Sequence, residues 1–281
     1  MNTPTIAVVY FGNCEGKLWR FFMRWIDCFH KCGTRLPVRL ITDVETFRLM
    51  TGPQCVAPFD GDDLSCIFDP MPSVIRPPGP DGKTNIYDYK AALVCSALLK
   101  IRGPLLLVDA DTELLKDPAL ALAGLATLGY SSPLMMARDC GEVVFRMPYD
   151  FTFHELNCGV IWFGGEDHSA MVDCYRNAFW DFDSAALDNS ESRILENDAW
   201  SLAAARLNAP RLPAVLNWMG HFWGPNPDTI IRHLHGGCPH ETEQVRPIPP
   251  PYSRAKLEAQ RIESQRLTSA HDPGNQPGYE V

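Results

Sequence analysis

The 281-residue sequence predicts an α/β protein with a single, mostly parallel central sheet flanked by helices. Three observations predict it. The chain opens with an apolar stretch, Ile6-Ala7-Val8-Val9-Tyr10-Phe11, followed by a helical pattern from Leu18 to Phe29 and a second apolar stretch from Val38 to Asp43. Strand, helix and strand in that order call for a parallel pair with the helix packed on one face. Further on, Leu105-Leu106-Leu107-Val108 sets four large aliphatics in a row without alternation, as a strand buried on both faces requires. Finally, 46% hydrophobic and 21% charged residues in a chain of this length suit one sizeable core.

The elements follow in order. Cys32-Gly33 stops the first helix, and the Val38 strand ends in a carboxylate, Asp43. The stretch from Gly52 to Thr84, rich in Pro, Gly and Asp, reads as a long irregular connection. From Tyr87 to Ile101, Tyr87, Ala91, Val94, Cys95, Leu98 and Leu99 share one helical face, and this helix leads into the four-aliphatic strand. After Pro118 an alanine- and leucine-rich helix runs to about Leu128. Leu134 to Ala137 and Gly159 to Phe163 read as strands, and Ser169 to Trp180 and Glu196 to Leu207 as helices. Leu212 to Leu216 is expected as a strand, and Ile230 to His235 as the strand that closes the sheet. One domain is expected over residues 1–240. Residues 241–281 read as a proline-rich spacer (Arg246 to Pro251), a short charged helix and a disordered tail.

Composition removes several classes of function. With 25 basic against 34 acidic residues the net charge is −9, and no basic stripe stands out, which argues against nucleic acid as a partner. Met1 to Gly12 has neither a basic start nor a long apolar run, so no secretory signal and no membrane span are expected. The ten cysteines are scattered, which fits reduced thiols and a cytoplasmic location. Cys28 and Cys32 lie in a helical pattern with no second pair nearby, so zinc is not expected. Gly79 to Thr84 superficially resembles a phosphate loop, but that motif needs glycine where Pro77 stands, and no strand precedes it.

The chemistry concentrates at Asp109-Ala110-Asp111, where the aliphatic strand ends. Alternation along a strand would point both carboxylates to one side. Two converging carboxylates repel unless a cation sits between them, and a divalent ion that also holds phosphate oxygens is the simplest candidate. The plainer reading is a strand end with two solvated aspartates starting a turn.

Four motifs then occur in one order: the strand ending Asp109-Ala110-Asp111, Asn157-Cys158-Gly159-Val160, Glu196-Asn197-Asp198-Ala199-Trp200, and His233-Leu234-His235-Gly236. Together they resemble the nucleotide-sugar-dependent glycosyltransferases of the A-type fold, especially the glycogenin-like family 8 group, over roughly Ile6 to Gly237. The resemblance implies a metal-dependent enzyme that moves a sugar from a nucleotide-diphosphate sugar, a UDP-sugar first among the donors, to an unidentified acceptor. Asp109 and Asp111 would hold Mn2+ or Mg2+, with His233 as the third ligand, or else His235. Gly236 would let the backbone approach the phosphate, and Lys90 would turn a cation toward it. Val8 and Tyr10 would meet the nucleobase, and Asn157 and Gly159 would line the sugar and acceptor side. Asp198 would hold sugar hydroxyls or lie near the anomeric carbon, which makes Asp198 and Asn157 the expected catalytic residues.

The chain departs from that pattern in three places, the first being that Lys90 lies somewhat farther from the Asp109-Ala110-Asp111 triplet than in glycogenin-like chains. Only the last acid of Glu196-Asn197-Asp198 matches the family's third motif, and Gly237-Cys238-Pro239-His240 replaces the usual Lys-Pro-Trp. Trp218, His221, Phe222 and Trp223 form an aromatic cluster suited to core packing or to a platform for a sugar ring. Two other functions fit parts of the sequence. One is a haloacid-dehalogenase-like phosphatase with Asp109 as nucleophile and Asp111 as general acid. The other is a non-catalytic module that binds a nucleotide sugar or a glycan.

Overall fold

A computed structural model of the chain describes residues 3–51, 67–78, 82–127, 134–138, 156–184, 195–219 and 224–234. Five strands form the main sheet: Thr5–Val9 (β1), Val38–Ile41 (β2), Leu105–Asp109 (β3), Met135–Arg138 (β5) and Leu156–Phe163 (β6). Their order is β2-β1-β3-β6-β5, with Thr112–Leu114 (β4) and Ile231–His233 (β7) forming a separate two-stranded sheet. β1 pairs in parallel with β2 and β3, and β6 runs antiparallel to both β3 and β5. Four of the five strands therefore share one direction, and the aliphatic strand β3 lies in the middle, as its sequence implies.

Alternation along the strands sorts side chains onto two faces. Ile6, Val8, Leu106, Val108, Val160 and Trp162 pack under Phe22 and Trp25 of the first helix, Gly16–Cys32 (α1). Ala7, Val9, Leu105, Leu107, Ile161 and Phe163 face the other way, against helices Ile86–Leu98 (α3), Ser169–Ser184 (α5) and Leu195–Arg206 (α6). Each aliphatic of β3 is at most 2% exposed. Burial of a side chain of this size is worth about 1.5–3 kcal/mol, which explains why the run carries no polar residue.

Helix termini follow local chemistry. Gly33 takes a left-handed conformation (φ 68°) at the end of α1, as a C-terminal glycine does. The Asn85 side chain accepts from the Tyr87 amide and caps α3. Asp43, read from sequence only as a strand end, accepts from the Thr46 amide at 2.6 Å and starts a helix, Val44–Thr51 (α2). The remaining helix, Ala119–Thr127 (α4), packs Leu122 and Leu125 on the α1 face.

Three expectations are corrected. Leu212 to Leu216 is not a strand: Pro213 lends its carbonyl to the Leu216 amide at 3.0 Å, and Ala214–Leu216 closes into a 3₁₀ turn. The strand at Ile230 does not join the main sheet, because β7 pairs antiparallel with β4, with Thr112 opposite His233. Asp109 and Asp111 do not share one strand face either. β3 ends at Asp109, Ala110 and Asp111 make a turn, and β4 begins at Thr112. His235, Gly236, Gly237, the Cys238-Pro239-His240 segment and residues 241–281 lie outside the described residues, as do His221, Phe222 and Trp223.

This topology positions the site. From β1 the chain goes to one side for β2 and returns on the other side for β3, with Val9 opposite Asp109. In open α/β sheets such a switch leaves a crevice at the carboxyl ends of the strands, where ligands bind. Asp109 stands at its edge.

Candidate functional site

The turn that carries the two aspartates is held from two sides, and the strand beside it is held by Trp218. The Thr112 hydroxyl donates to the Asp109 carbonyl at 2.7 Å, closing the turn. The Leu234 amide donates to the Asp111 carbonyl at 2.9 Å, and the His233 amide to the Trp218 carbonyl at 2.9 Å. β7 is thus stitched to the turn on one side and to Trp218 on the other. Glu113, 1% exposed, adds a charged anchor by pairing with Arg24 of α1 and with Arg232, the neighbour of His233.

Asp109, Asp111 and His233 each offer one ligand atom, and these atoms all lie within 4.8 Å of one another. Among the described residues this is the only group of three or more such side chains able to hold a metal ion. His233 Nε2 stands 3.3 Å from Asp111 Oδ1. Burial acts to lower the pKa of this imidazole, but the Asp111 carboxylate, with help from Asp109, outweighs it and holds His233 above its ordinary value. Burial raises the Asp109 carboxyl, Lys90 opposes that and Asp111 adds to it, and the net direction is upward. Room for the imidazole comes from Gly159: a Cβ there would lie 2.1 Å from His233 Cε1 and 2.7 Å from Nε2. Two carboxylates and one imidazole make a donor set that suits a hard or borderline divalent ion, and the tight cradle around the ring fits that use.

A second layer stands behind these ligands. Lys90 Nζ of α3 lies 2.7 Å from Asp109 Oδ1 and 3.0 Å from Oδ2. The same nitrogen lies 3.2 and 3.3 Å from the two oxygens of Glu196, at the start of α6. Burial works against the ammonium charge, but Asp109 and Glu196 overcome it and keep Lys90 well above its ordinary value. Burial pushes the Glu196 carboxyl up to about 7, with Lys90 opposing and Asp109 adding.

Asn197 ties α6 to β6. Its Oδ1 accepts from the Cys158 amide at 2.8 Å, and its Nδ2 donates to the Leu156 carbonyl at 2.7 Å. Asn157, 4% exposed, accepts through Oδ1 from the Gly159 amide at 2.9 Å and from Asn217 Nδ2 at 3.0 Å. Asp198 is wholly buried in the first turn of α6, which does not fit a solvated, dipole-favoured acid.

The structure therefore brings Lys90, Asp109, Asp111, Gly159 and His233 into one continuous network, with Asn157 bonded to Gly159. Val8 and Tyr10 are placed differently. Val8 is fully buried in mid-strand, and the Tyr10 ring stacks on Phe22 at 4.5 Å while its hydroxyl donates to the Asn13 carbonyl. Trp218 donates its indole N–H to the Gly224 carbonyl at 2.8 Å. Sequence reasoning missed Glu196, Asn197 and Asn217. Glu196 and Asn197 stood in plain view inside the third motif, but their partners are 106 and about 40 residues away in the chain.

No protein-family profile matches the sequence, and no curated protein does. Solved structures do resemble it. The apo form of mouse xyloside xylosyltransferase 1 superposes with a TM-score of 0.53 at 10% identity, covering 84% of this chain and 99% of that one. The galactosyltransferase LgtC, solved in complex with donor and acceptor sugar analogs, gives a TM-score of 0.50 at 10% identity over 95% of both chains. The apo form of the Streptococcus pneumoniae TIGR4 glycosyltransferase GlyE gives a TM-score of 0.46 at 13% identity, covering 83% of this chain. The chain spans 54% of the length of GlyE. The fold is the one that the xylosyltransferase and galactosyltransferase structures share.

Proposed function

We propose that this protein is a metal-dependent glycosyltransferase that moves a sugar from a nucleotide-diphosphate sugar, a UDP-sugar first among the candidates, to an acceptor. The observation that carries this reading is the convergence of Asp109, Asp111 and His233 within 4.8 Å at the carboxyl end of the central strand. The likeness to glycosyltransferase folds supports it.

In this reading the two carboxylates and the His233 imidazole would hold Mn2+ or Mg2+, and Gly159 keeps the space that the imidazole needs. Bound there, the ion would supply Lewis-acid stabilisation of the negative charge that builds on the departing diphosphate. Lys90 adds a positive charge beside the same position. Asp198 and Asn157 serve the transferred sugar: the buried carboxylate can hold hydroxyls or stabilise developing positive charge at the anomeric carbon. Asn157 orients the Gly159 backbone next to it. The nucleobase rests at the end of β1, and because the side chains of Val8 and Tyr10 are in the core, the main chain makes that contact. Gly236 follows the metal histidine and serves the phosphates.

A phosphatase of the haloacid-dehalogenase type would carry its nucleophile at the end of the first strand. Here Asp109 ends the third, and its carboxylate is engaged by Lys90. No described helix is long and apolar enough to cross a membrane. A cytoplasmic location is part of this reading, on the scatter of the ten cysteines along the sequence.

The test is a turnover assay with a panel of UDP-sugars, with and without Mn2+, scored for donor hydrolysis and for transfer to a broad set of acceptors. Metal-dependent release of UDP supports the enzyme. Donor binding without hydrolysis or transfer over the whole panel would favour the non-catalytic binding module.

A further inference from the structure

We propose that Lys90 is the resident counter-cation of the metal site: it occupies Asp109 until a divalent ion arrives, then withdraws to Glu196, so that the ion binds tightly only together with a diphosphate. This rests on the reading of Asp109, Asp111 and His233 as metal ligands.

The geometry shows one ammonium shared between two carboxylates. Lys90 Nζ straddles both oxygens of Asp109, at 2.7 and 3.0 Å, and both oxygens of Glu196, at 3.2 and 3.3 Å. The Lys90 side chain is 14% exposed, and Glu196 is 4% exposed. Water therefore screens this arrangement weakly, and a divalent ion on Asp109 would feel the nearby ammonium with a charge product of two. An ammonium on a flexible stem donates in any direction, so a small shift moves its share from one carboxylate to the other without breaking its remaining bonds. The first turn of α6, which carries the receiving carboxylate, is tied down because Asn197, next to Glu196, binds the β6 backbone through two hydrogen bonds. A diphosphate brings negative charge to the same position and relieves the repulsion between the two cations. Metal and diphosphate then tighten each other, and thermodynamic linkage makes that tightening reciprocal.

A lysine serving only as a phosphate contact, or only as packing, would not restrain the ion when no nucleotide is present. The inference makes that restraint measurable. Mn2+ is titrated into the full-length wild type, Lys90→Gln, Glu196→Gln and the double variant, with free Mn2+ read by electron paramagnetic resonance, with and without UDP. Cooperative thermal melts establish that each variant is folded. Without UDP, Lys90→Gln is expected to bind Mn2+ at least tenfold more tightly than wild type, and UDP should then tighten Mn2+ by a smaller factor. Glu196→Gln, which leaves the ammonium to Asp109 alone, should weaken Mn2+ severalfold. The double variant should bind Mn2+ about as tightly as Lys90→Gln, because Glu196 acts through the ammonium; a double variant that returns to wild-type affinity overturns the inference. A folded Lys90→Gln that binds Mn2+ no more tightly than wild type overturns the inference. Should that variant fail to fold, Glu196→Gln with unchanged or tighter Mn2+ binding overturns it instead. Wild type that takes up no Mn2+ even with UDP overturns the metal site itself, and the inference with it.

Discussion

Gly159 lies directly against the ring of His233: a methyl group on it would sit 2.1 Å from Cε1 and 2.6 Å from Nδ1 of that imidazole. The contact joins β6 of the main sheet to β7 of the small one. A glycine read from sequence as a donor-side residue is, in the fold, the cradle of the His233 ring.

Gly159→Ala must therefore displace His233, whose strand is pinned by Thr112 and Trp218. Overpacking of this kind costs about 1–3 kcal/mol. Disturbing the support of a metal ligand costs roughly 10–100-fold in metal affinity. Mn2+ titration and a denaturant melt of the same variant check both numbers. Wild-type metal affinity in Gly159→Ala would detach His233 from the site.

If Asp198 serves the transferred sugar as proposed, Asp198→Asn is expected to lower turnover by about a hundredfold or more while changing donor affinity little. If Asp198 were only a first-turn helix acid, the change would be about 0.3–1 kcal/mol in stability with activity intact. Donor hydrolysis and donor affinity measured in the same variant decide between the two.

Asn197→Ala removes two of the hydrogen bonds that join α6 to β6 and leaves the Cys158 amide to find another partner, while the Leu156 carbonyl keeps only the longer bond from the Ser201 hydroxyl at 3.5 Å. An unsatisfied group of this kind costs about 1–3 kcal/mol. Urea unfolding should show a loss of that size, and activity should fall with it, because α6 also carries Glu196 and Asp198. A variant as stable as wild type would show that the clamp contributes nothing.

The metal-free protein should lose stability as pH rises from about 4.5 to about 7. Burial raises the Glu196 carboxyl from 4.5 to about 7, so in this window the folded state binds more protons than the unfolded state. Stability from this group is full below the unfolded value and is lost as pH rises through the folded one. His233, also raised, acts in the same direction above 6.5. Melting temperatures across this range should fall more steeply for wild type than for Glu196→Gln. Equal slopes would contradict the assignment.

What sequence could and could not reveal divides along physical lines. Leu105 to Val108 announced a central strand because burial on both faces forbids polar residues there, and the order of motifs brought Asp109, Asp111 and His233 together on the page before the fold did. The turn at Ala110 was hidden, because two aspartates two apart look the same on a strand as across a tight turn. The pairing of β4 with β7 was hidden too, since three residues per strand are too few to show a period. Glu196 looked like a defect in a motif until Lys90, 106 residues earlier, supplied its partner. Asn217 had no local signal, and its role appears only beside Asn157.

On the proposed function, Asp109, Asp111 and His233 hold a divalent ion that in turn holds a diphosphate. Calorimetric titration of UDP with and without Mn2+, in wild type and in Asp111→Asn, tests it most directly. Mn2+ is expected to tighten UDP by at least about tenfold in wild type, which is about 1.4 kcal/mol, and Asp111→Asn to abolish this gain. UDP affinity that ignores Mn2+ in wild type, or an undiminished response in Asp111→Asn, would contradict it.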